Sequence, residues 1–255
     1  MIKIFFVVYG IMCYLVSLVT LLWAVAFVGD LVPPELRANA MPLPQALLID
    51  LGLISLFGVQ HSVMARAGFK RWWIRIVPQP IERSTYVWIS NVLVVLLMWL
   101  WQPIGVPVWD VQQPIARAAL SSLFAIGWFL VPVASLMINH FDLFGTRQVW
   151  LHLRRREYRP LEFRTPMLYG KVRHPLYVGW LIAFWATPTM TLGHLVFAAA
   201  MTGYILIAVR YEERDLLREY GTKYTDYRRR VPGFVPRLGS RAPKSRTESP
   251  VGAAS

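Results

Sequence analysis

Apolar residues run through this chain in blocks that are long for a soluble fold. Residues 4–29 carry no charge, nor do 84–109, 118–141 or 174–209, counting histidine as neutral. About 20 helical residues cross the hydrocarbon core of a bilayer, so each block is long enough to span one. The pattern predicts membrane helices over 4–28, 45–64, 84–103 and 117–139. The last block has 36 residues, too many for one ordinary span, and Ala186-Thr187-Pro188-Thr189 with Gly193 breaks it in the middle. Two compact helices over 175–187 and 191–211 are expected there, as a hairpin that returns the chain to the side it left. The fold class is an all-α polytopic membrane protein of about six transmembrane helices ending in a helical hairpin.

The connections fit this layout. Pro33-Pro34 ends the first helix, and a short loop leads to Pro44. Segment 104–116 has no basic residue and holds Pro107, Asp110 and Pro114, which reads as a loop on the far side. Pro132 should kink the fourth helix. Residues 143–156 mix Leu143, Phe144, Val149, Trp150, Leu151 and Leu153 with arginines, as an interfacial helix does. One domain is expected over 1–236. Residues 237–255, rich in Ser, Pro, Gly and Arg, read as a disordered tail. Ala24-Val25-Ala26 resembles a cleavage triplet, but the first apolar run exceeds a signal-peptide core, so an uncleaved helix is expected. No internal repeat stands out.

Composition narrows the classes further. Of 255 residues, 56% are hydrophobic and 16% charged, with a mean hydropathy of +0.43. Disordered, coiled-coil and collagen-like chains are excluded. A formal net charge of +13 would suggest nucleic acid in a soluble protein. Here 25 of 27 basic residues fall at the N-terminus, in 64–83, in 141–175 and from Arg210 onward, leaving Arg37 and Arg117 on the other side. That is the positive-inside pattern, with both termini inside, and no nucleic-acid partner is expected. The single Cys13 excludes an internal disulfide, and no Cys/His cluster suggests a metal.

Three groups of residues are candidates for chemistry. In Arg173-His174-Pro175-Leu176-Tyr177-Val178-Gly179, Pro175 suits a first helical turn. Arg173 brings a fork of donors to the membrane face, and Gly179 permits close approach by a backbone or a flat ligand. An interfacial anchor and helix cap explains the same residues. Glu212-Glu213 follows the last apolar helix, where buried acids need partners, although the pair equally suits a solvent-facing helix stop. Hairpin geometry brings Arg173 and Glu212 to one mouth, about 10 Å apart. Tyr224 and Tyr227 share a helix face and suit either a closing element or an interfacial segment. Among isolated polar residues, Asp50, His61, Asn91, Asn139, His140 and His194 lie in or near spans. His61 falls on the same inner side as Arg173. Asparagines also serve as helix glue, and His140 as a helix end.

Order and spacing here resemble the isoprenylcysteine carboxyl methyltransferase-like superfamily. The residues that carry the likeness are Arg173-His174-Pro175-x-Tyr177-x-Gly179, Glu212-Glu213-x-x-Leu216, Gly221-x-x-Tyr224-x-x-Tyr227 and Val231-Pro232. Upstream, His61-Ser62-Val63-Met64-Ala65-Arg66, Glu82-Arg83-Ser84-Thr85-Tyr86, Phe163-Arg164-Thr165-Pro166 and Trp185-Ala186-Thr187-Pro188 resemble its bacterial methanethiol S-methyltransferase family. The resemblance implies methyl transfer from S-adenosylmethionine to methanethiol, releasing dimethyl sulfide, in a bacterial inner membrane. It also implies a cofactor half over about 165–236. There Arg173, His174, Tyr177 and Gly179 match a first cofactor motif, Glu212 and Glu213 an acidic pair, and Tyr224 and Tyr227 a closing element.

On that reading, positive charge from Arg173 or Arg164 would favour thiolate, and His61 or Glu213 would take the proton. Expected partners are the small thiol and membrane lipid. Trp180 to Trp185 would line a small apolar chamber or face lipid. The alternatives are a related membrane methyltransferase for another thiol or lipid, a non-catalytic NnrU-like protein, and a transporter. The last lacks obvious inverted repeats.

Overall fold

A computed structural model describes residues 1–33 and 41–237. Pro34 and Arg37 of the first loop, and the expected tail from 238 onward, lie outside the described residues. Five helices are long and apolar enough to cross a membrane, one of them counted together with the 3-10 turn that precedes it. They are α1 (Ile2–Val28), α2 (Leu43–Met64), α4 (Glu82–Leu100), α5 (Pro114–Ile138) and α9 (Leu192–Tyr220). A short α3 (Ala67–Trp73) follows α2, and a 3-10 turn at Gln79–Ile81 leads into α4. After α5 come α6 (His140–Leu143) and α7 (Thr146–Leu153). A second 3-10 turn (Met167–Gly170), α8 (Pro175–Trp185) and α10 (Thr222–Arg230) complete the helices. At 11 residues, α8 is about 16 Å long, roughly half a bilayer core. The expected fifth crossing, read from the sequence as a compact helix, is therefore a half-length one.

Local chemistry explains the boundaries. Pro44 sits in the first turn of α2 and Pro114 at the start of α5, where a missing N–H costs nothing. The Gln113 side chain caps the Ala116 amide, and Thr191 Oγ1 accepts from the His194 amide at 3.2 Å. Helix α5 continues through Pro132. The interfacial helix expected over 143–156 is divided, because Gly145 takes a left-handed φ of +85° between α6 and α7. A side chain there would lie 2.6 Å from the Ser84 amide.

Packing follows membrane logic. Large apolar side chains such as Leu22, Leu48 and Phe129 point outward, while Cys13, Ser17, Thr20, Ser84 and Ser90 are buried between helices. Asn91 Nδ2 on α4 donates to Ser17 Oγ on α1 at 2.7 Å, the helix glue anticipated for it. Gly127 on α5 and Gly179 on α8 let their backbones meet. A Cβ at Gly127 would lie 2.6 Å from the Ala183 amide, and one at Gly179 would lie 2.9 Å from the Gly127 carbonyl. Trp101, Trp128, Phe184 and Phe197 fill the core between these helices.

The two ends of the bundle differ. At one end, the loop expected over 104–116 contains a strand, β1 (Pro107–Asp110). It pairs antiparallel with β2 (Thr189–Thr191) in the α8–α9 turn. Asp110 there accepts from Thr189 Oγ1 at 2.9 Å and pairs with Arg117 at 3.0 Å. At the other end lie α3, α6, α7, α10 and the basic segments. Helix α9 reaches this end nine residues further than the expected stop at 211, because Glu212–Tyr220 continues as helix. The two acids are thus helical residues in the last three turns rather than a flanking pair.

Candidate functional site

The basic end gathers the sequence-predicted residues around one carboxylate. Arg173 stands two residues before α8, and Glu213 lies on α9, so the hairpin itself brings them together. Arg173 reaches Glu213 Oε1 through Nε at 2.8 Å and Nη2 at 2.7 Å. His174 Nε2 lies 3.1 Å from the same oxygen, and Arg228 Nε of α10 lies 3.3 Å from Oε2. The Arg173 and Glu213 side chains are only 14% and 10% exposed. Such burial of a charge is tolerable when it is paired and hydrogen-bonded on all sides. Glu213 is therefore a hub with three cationic or hydrogen-bonding partners.

The remaining donors of Arg173 hold the C-terminal segment. Its Nη1 donates to the carbonyls of Val231 at 2.6 Å and Arg228 at 3.3 Å. The backbone joins in: Arg173 N–H donates to Pro232 O at 2.8 Å and His174 N–H to Gly233 O at 3.1 Å. Phe234 packs on the His174 ring with centroids 5.7 Å apart. Residues 231–234 are thereby strapped across the start of α8. Arg173, read from the sequence as an anion binder, spends its fork inside the protein.

The tyrosine pair lies on α10, the helix that leads into this strap. Tyr227 Oη donates to Tyr169 O at 2.6 Å. Phe163 contacts the rings of Tyr220, Tyr224 and Tyr227 at 5.1, 5.9 and 5.4 Å. Burial pushes the Tyr227 hydroxyl up to about 12 and raises those of Tyr224 and Tyr169 above the ordinary tyrosine range. Tyr224 is 1% exposed, yet its hydroxyl has no hydrogen-bond partner among the described residues. A buried, unpaired hydroxyl is costly, and it marks a place where a ligand group would be welcome.

Deeper in the bundle a second polar group faces the hairpin. Tyr177 on α8 interacts with Glu212 and is within electrostatic reach of Tyr204 and Tyr86. Glu212 in turn feels His174, Glu213 and Arg66. His61 on α2 lies beside Tyr86, with Nε2 2.9 Å from its hydroxyl and Nδ1 3.1 Å from Ser90 Oγ. Ser90 Oγ directs its own proton to Tyr86 O at 3.0 Å. With that proton assigned to the carbonyl, Ser90 accepts from Nδ1–H, and the same assignment leaves Nε2 to accept from Tyr86. Phe57 and Tyr204 flank this group: the Phe57 ring lies tilted against His61 at 5.2 Å and against Tyr204 at 5.9 Å, and Ser62 Oγ donates to Tyr204 Oη at 3.5 Å.

The other candidates fall elsewhere. Arg164 is 80% exposed and paired with Glu162 at 3.5 Å, outside the cluster. Gly179 is occupied in contact with α5. His140 is buried between Tyr14 Oη at 2.9 Å and Ser135 Oγ at 2.8 Å, and burial lowers its pKa. It joins α1 to α5, as Asn139 caps α6 through the Asp142 amide. Asp50 is fully buried and accepts from Gln102 N–H at 2.8 Å near the far end. His194 lies near the α8–α9 turn, 2.8 Å from Phe184 O. It lines a cavity of about 140 Å³ with Trp23, Phe27, Trp101 and Phe197. That cavity is about 28 Å along α9 from Glu213. Among the described residues no cluster of His, Cys, Asp and Glu could hold a metal. Sequence reasoning missed Arg228 and Tyr169, and it quoted Tyr86 only within a motif, with no role. Arg228 was hidden in Arg228-Arg229-Arg230, which reads as ordinary positive-inside charge.

Fold and site together define a polytopic helical membrane protein with a strapped, acid-centred cluster at its basic end. A methanethiol S-methyltransferase of Crocosphaera subtropica is 49% identical over 240 residues, covering 93% of this chain and 94% of its own length. Another, from Mycobacterium tuberculosis, is 51% identical over 232 residues, or 90% and 95% of the two chains. Nurim of Sus scrofa is 32% identical over 176 residues, 66% of each chain. No family model matches, and no solved structure matches. The chain belongs to the methanethiol S-methyltransferase family.

Proposed function

We propose that this protein transfers a methyl group from S-adenosylmethionine to methanethiol, forming dimethyl sulfide and S-adenosylhomocysteine. The observation that carries this reading is likeness at 46–53% identity, over most of the chain, to several relatives named methanethiol S-methyltransferase. The convergence of Arg173, His174, Glu212, Glu213, Tyr224 and Tyr227 at one end of the hairpin supports that reading. A non-catalytic membrane protein or a transporter explains neither the names of the relatives nor the cluster.

The residues present fit the donor. The unpaired Tyr224 hydroxyl, the Glu212 carboxylate and the Tyr177 hydroxyl offer hydrogen-bonding capacity for amino and hydroxyl groups, and Glu212 also offers negative charge to a cation. Bound there, S-adenosylmethionine supplies an electrophilic methyl carbon on a sulfonium. The protein's own part is to close, orient and move a proton. Glu213, Arg173 and Arg228 clamp the 231–234 strap over the start of α8, which excludes water from the hairpin. Gly179 with Gly127 sets how closely α8 approaches α5, and so fixes the ring of Tyr177 against Glu212. Tyr86 accepts the thiol proton as it passes its own to His61 Nε2, the atom the hydrogen-bond network leaves as acceptor. The thiolate sulfur then forms its bond to the methyl carbon as the carbon–sulfonium bond breaks. Alignment of the two reactants supplies much of the rate, since no covalent enzyme intermediate is required.

The basic end faces the cytoplasm by the positive-inside rule, which puts both termini and the cluster inside a bacterial inner membrane. The full chain, purified into nanodiscs, tests the reading by headspace gas chromatography. Dimethyl sulfide should require both S-adenosylmethionine and methanethiol. Ethanethiol should react more slowly, by about 10–200-fold if a single extra methylene is excluded by pocket size. Cofactor binding with turnover only on a lipid or a larger thiol would overturn the choice of acceptor.

A further inference from the structure

Helix α7 and the first turns of α1 enclose a groove of about 400 Å³ on the outer surface of the bundle, at its basic end. Its walls are Val7, Ile11, Phe141, Val149 and Trp150, with Arg147 at the edge. Val149 is buried at its floor, while Ile11, Phe141 and Trp150 are each about half exposed along the rim. An apolar groove with an exposed tryptophan at the membrane boundary suits a hydrocarbon chain rather than water.

A run of positive charge stands directly beside it. Helix α7 is followed directly by Arg154-Arg155-Arg156, all three exposed. The turn is closed by Arg155 N–H to His152 O at 3.1 Å and Arg156 N–H to Leu151 O at 2.9 Å, with Arg155 at a φ of +57°. Glycine is the residue that this left-handed capping position favours. At Arg155 this sparsely populated conformation is held by an arginine, so the turn carries a charge where glycine is usual. The neighbouring acids are already taken: Asp142 pairs with Arg147 at 2.8 Å, and Glu157 faces Arg159 at 3.9 Å. Among the described residues none of the three arginines forms an ion pair. Arg154 lies over the Trp150 ring at 4.9 Å, at the lip of the groove.

We propose that this groove is a binding site for an anionic phospholipid. One acyl chain lies against Val7, Ile11 and Trp150, and the phosphate sits on Arg154, Arg155 and Arg156. The charge complementarity selects an anionic headgroup over a zwitterionic one. Arg147 is committed to Asp142 and shapes the edge without taking the phosphate.

The test uses the full chain in nanodiscs of phosphatidylcholine mixed with phosphatidylglycerol, released and weighed by native mass spectrometry. The wild-type protein should retain phosphatidylglycerol over phosphatidylcholine by roughly tenfold, within what three arginines near an anionic phosphate supply. The variant Arg154→Gln/Arg155→Gln/Arg156→Gln should retain both lipids equally while melting as the wild type does. Ile11→Trp, which fills the groove and leaves the arginines in place, should retain fewer lipids of either kind. Equal retention by the wild type, an unchanged preference in the triple variant, or a dimer that carries no lipid because a second copy covers the groove would each overturn the proposal. None of these readouts needs methyl donor or thiol, so they stand or fall apart from the proposed reaction.

Discussion

Replacing Arg173 with alanine should open the strap and cost the protein its methyl donor before it costs the fold. Arg173 makes two contacts to Glu213 Oε1, at 2.8 and 2.7 Å, and donates to the carbonyls of Val231 and Arg228. Breaking one partner of a buried ion pair costs about 3–5 kcal/mol. Here His174 and Arg228 still reach the carboxylate, which offsets part of the loss and leaves about 2–3 kcal/mol. At 1.4 kcal/mol per decade, the released strap becomes about 30- to 150-fold more populated. Hydrogen exchange at the Arg173 and His174 amides, which donate to Pro232 and Gly233, should quicken by that factor. A donor that binds only the closed form should bind more weakly in the same direction when followed by titration calorimetry. Glu213→Gln in the Arg173→Ala background should add less loss than the same substitution costs in the wild-type protein, because the shared contact is already gone. Strictly additive effects of the two substitutions, or unchanged exchange at these amides, would refute the clamp.

Tyr224→Phe should raise the melting temperature of the ligand-free protein, because it removes a buried hydroxyl with no partner, a penalty of about 1–3 kcal/mol. The same variant should weaken donor binding in calorimetry, and tighter binding would refute the role given to that hydroxyl. Tyr169, Tyr224 and Tyr227 all have hydroxyls raised by burial, Tyr227 to about 12. Their contribution to stability is complete below the ordinary tyrosine value of about 10 and is lost as pH rises towards the raised values. Melting followed from pH 9 upward should therefore fall fastest above pH 10, and less steeply in Tyr227→Phe. His61→Gln keeps a hydrogen-bonding side chain but removes the proton acceptor. It should lower kcat by about 100-fold or more with little change in KM for the donor, and a matching loss of donor binding would reassign His61 to structure.

Much of the architecture was legible in the sequence because lipid imposes simple rules. Uncharged runs of 24 to 36 residues located α1, α4, α5 and the last hairpin. That Arg173 lies near the acidic pair followed from topology, since a hairpin returns its second arm beside its entrance; the expectation named Glu212, whereas the contact is made by Glu213. The expectation placed the acids after α9 because hydropathy falls at Arg210. Helix propensity argued otherwise: Glu, Arg and Leu dominate 212–219, and all are good helix formers. The β1–β2 pair was not legible, as each strand has only three or four residues and no alternating pattern to show it. The break at Gly145 was not read from the sequence, and its close contact with Ser84 explains it. Arg228 and Tyr86 were hidden for a different reason. Each looks ordinary among its neighbours, and only the folded chain brings one to Glu213 and the other to His61.

The most direct measurement supplies the full chain in nanodiscs with S-adenosylmethionine labelled in its transferable methyl group, together with unlabelled methanethiol, and follows the headspace by mass spectrometry. Dimethyl sulfide carrying one labelled methyl group, formed in step with S-adenosylhomocysteine and depressed in Arg173→Ala, is the expected result. Binding of the donor without labelled dimethyl sulfide, in protein shown to be folded, would contradict the proposed reaction.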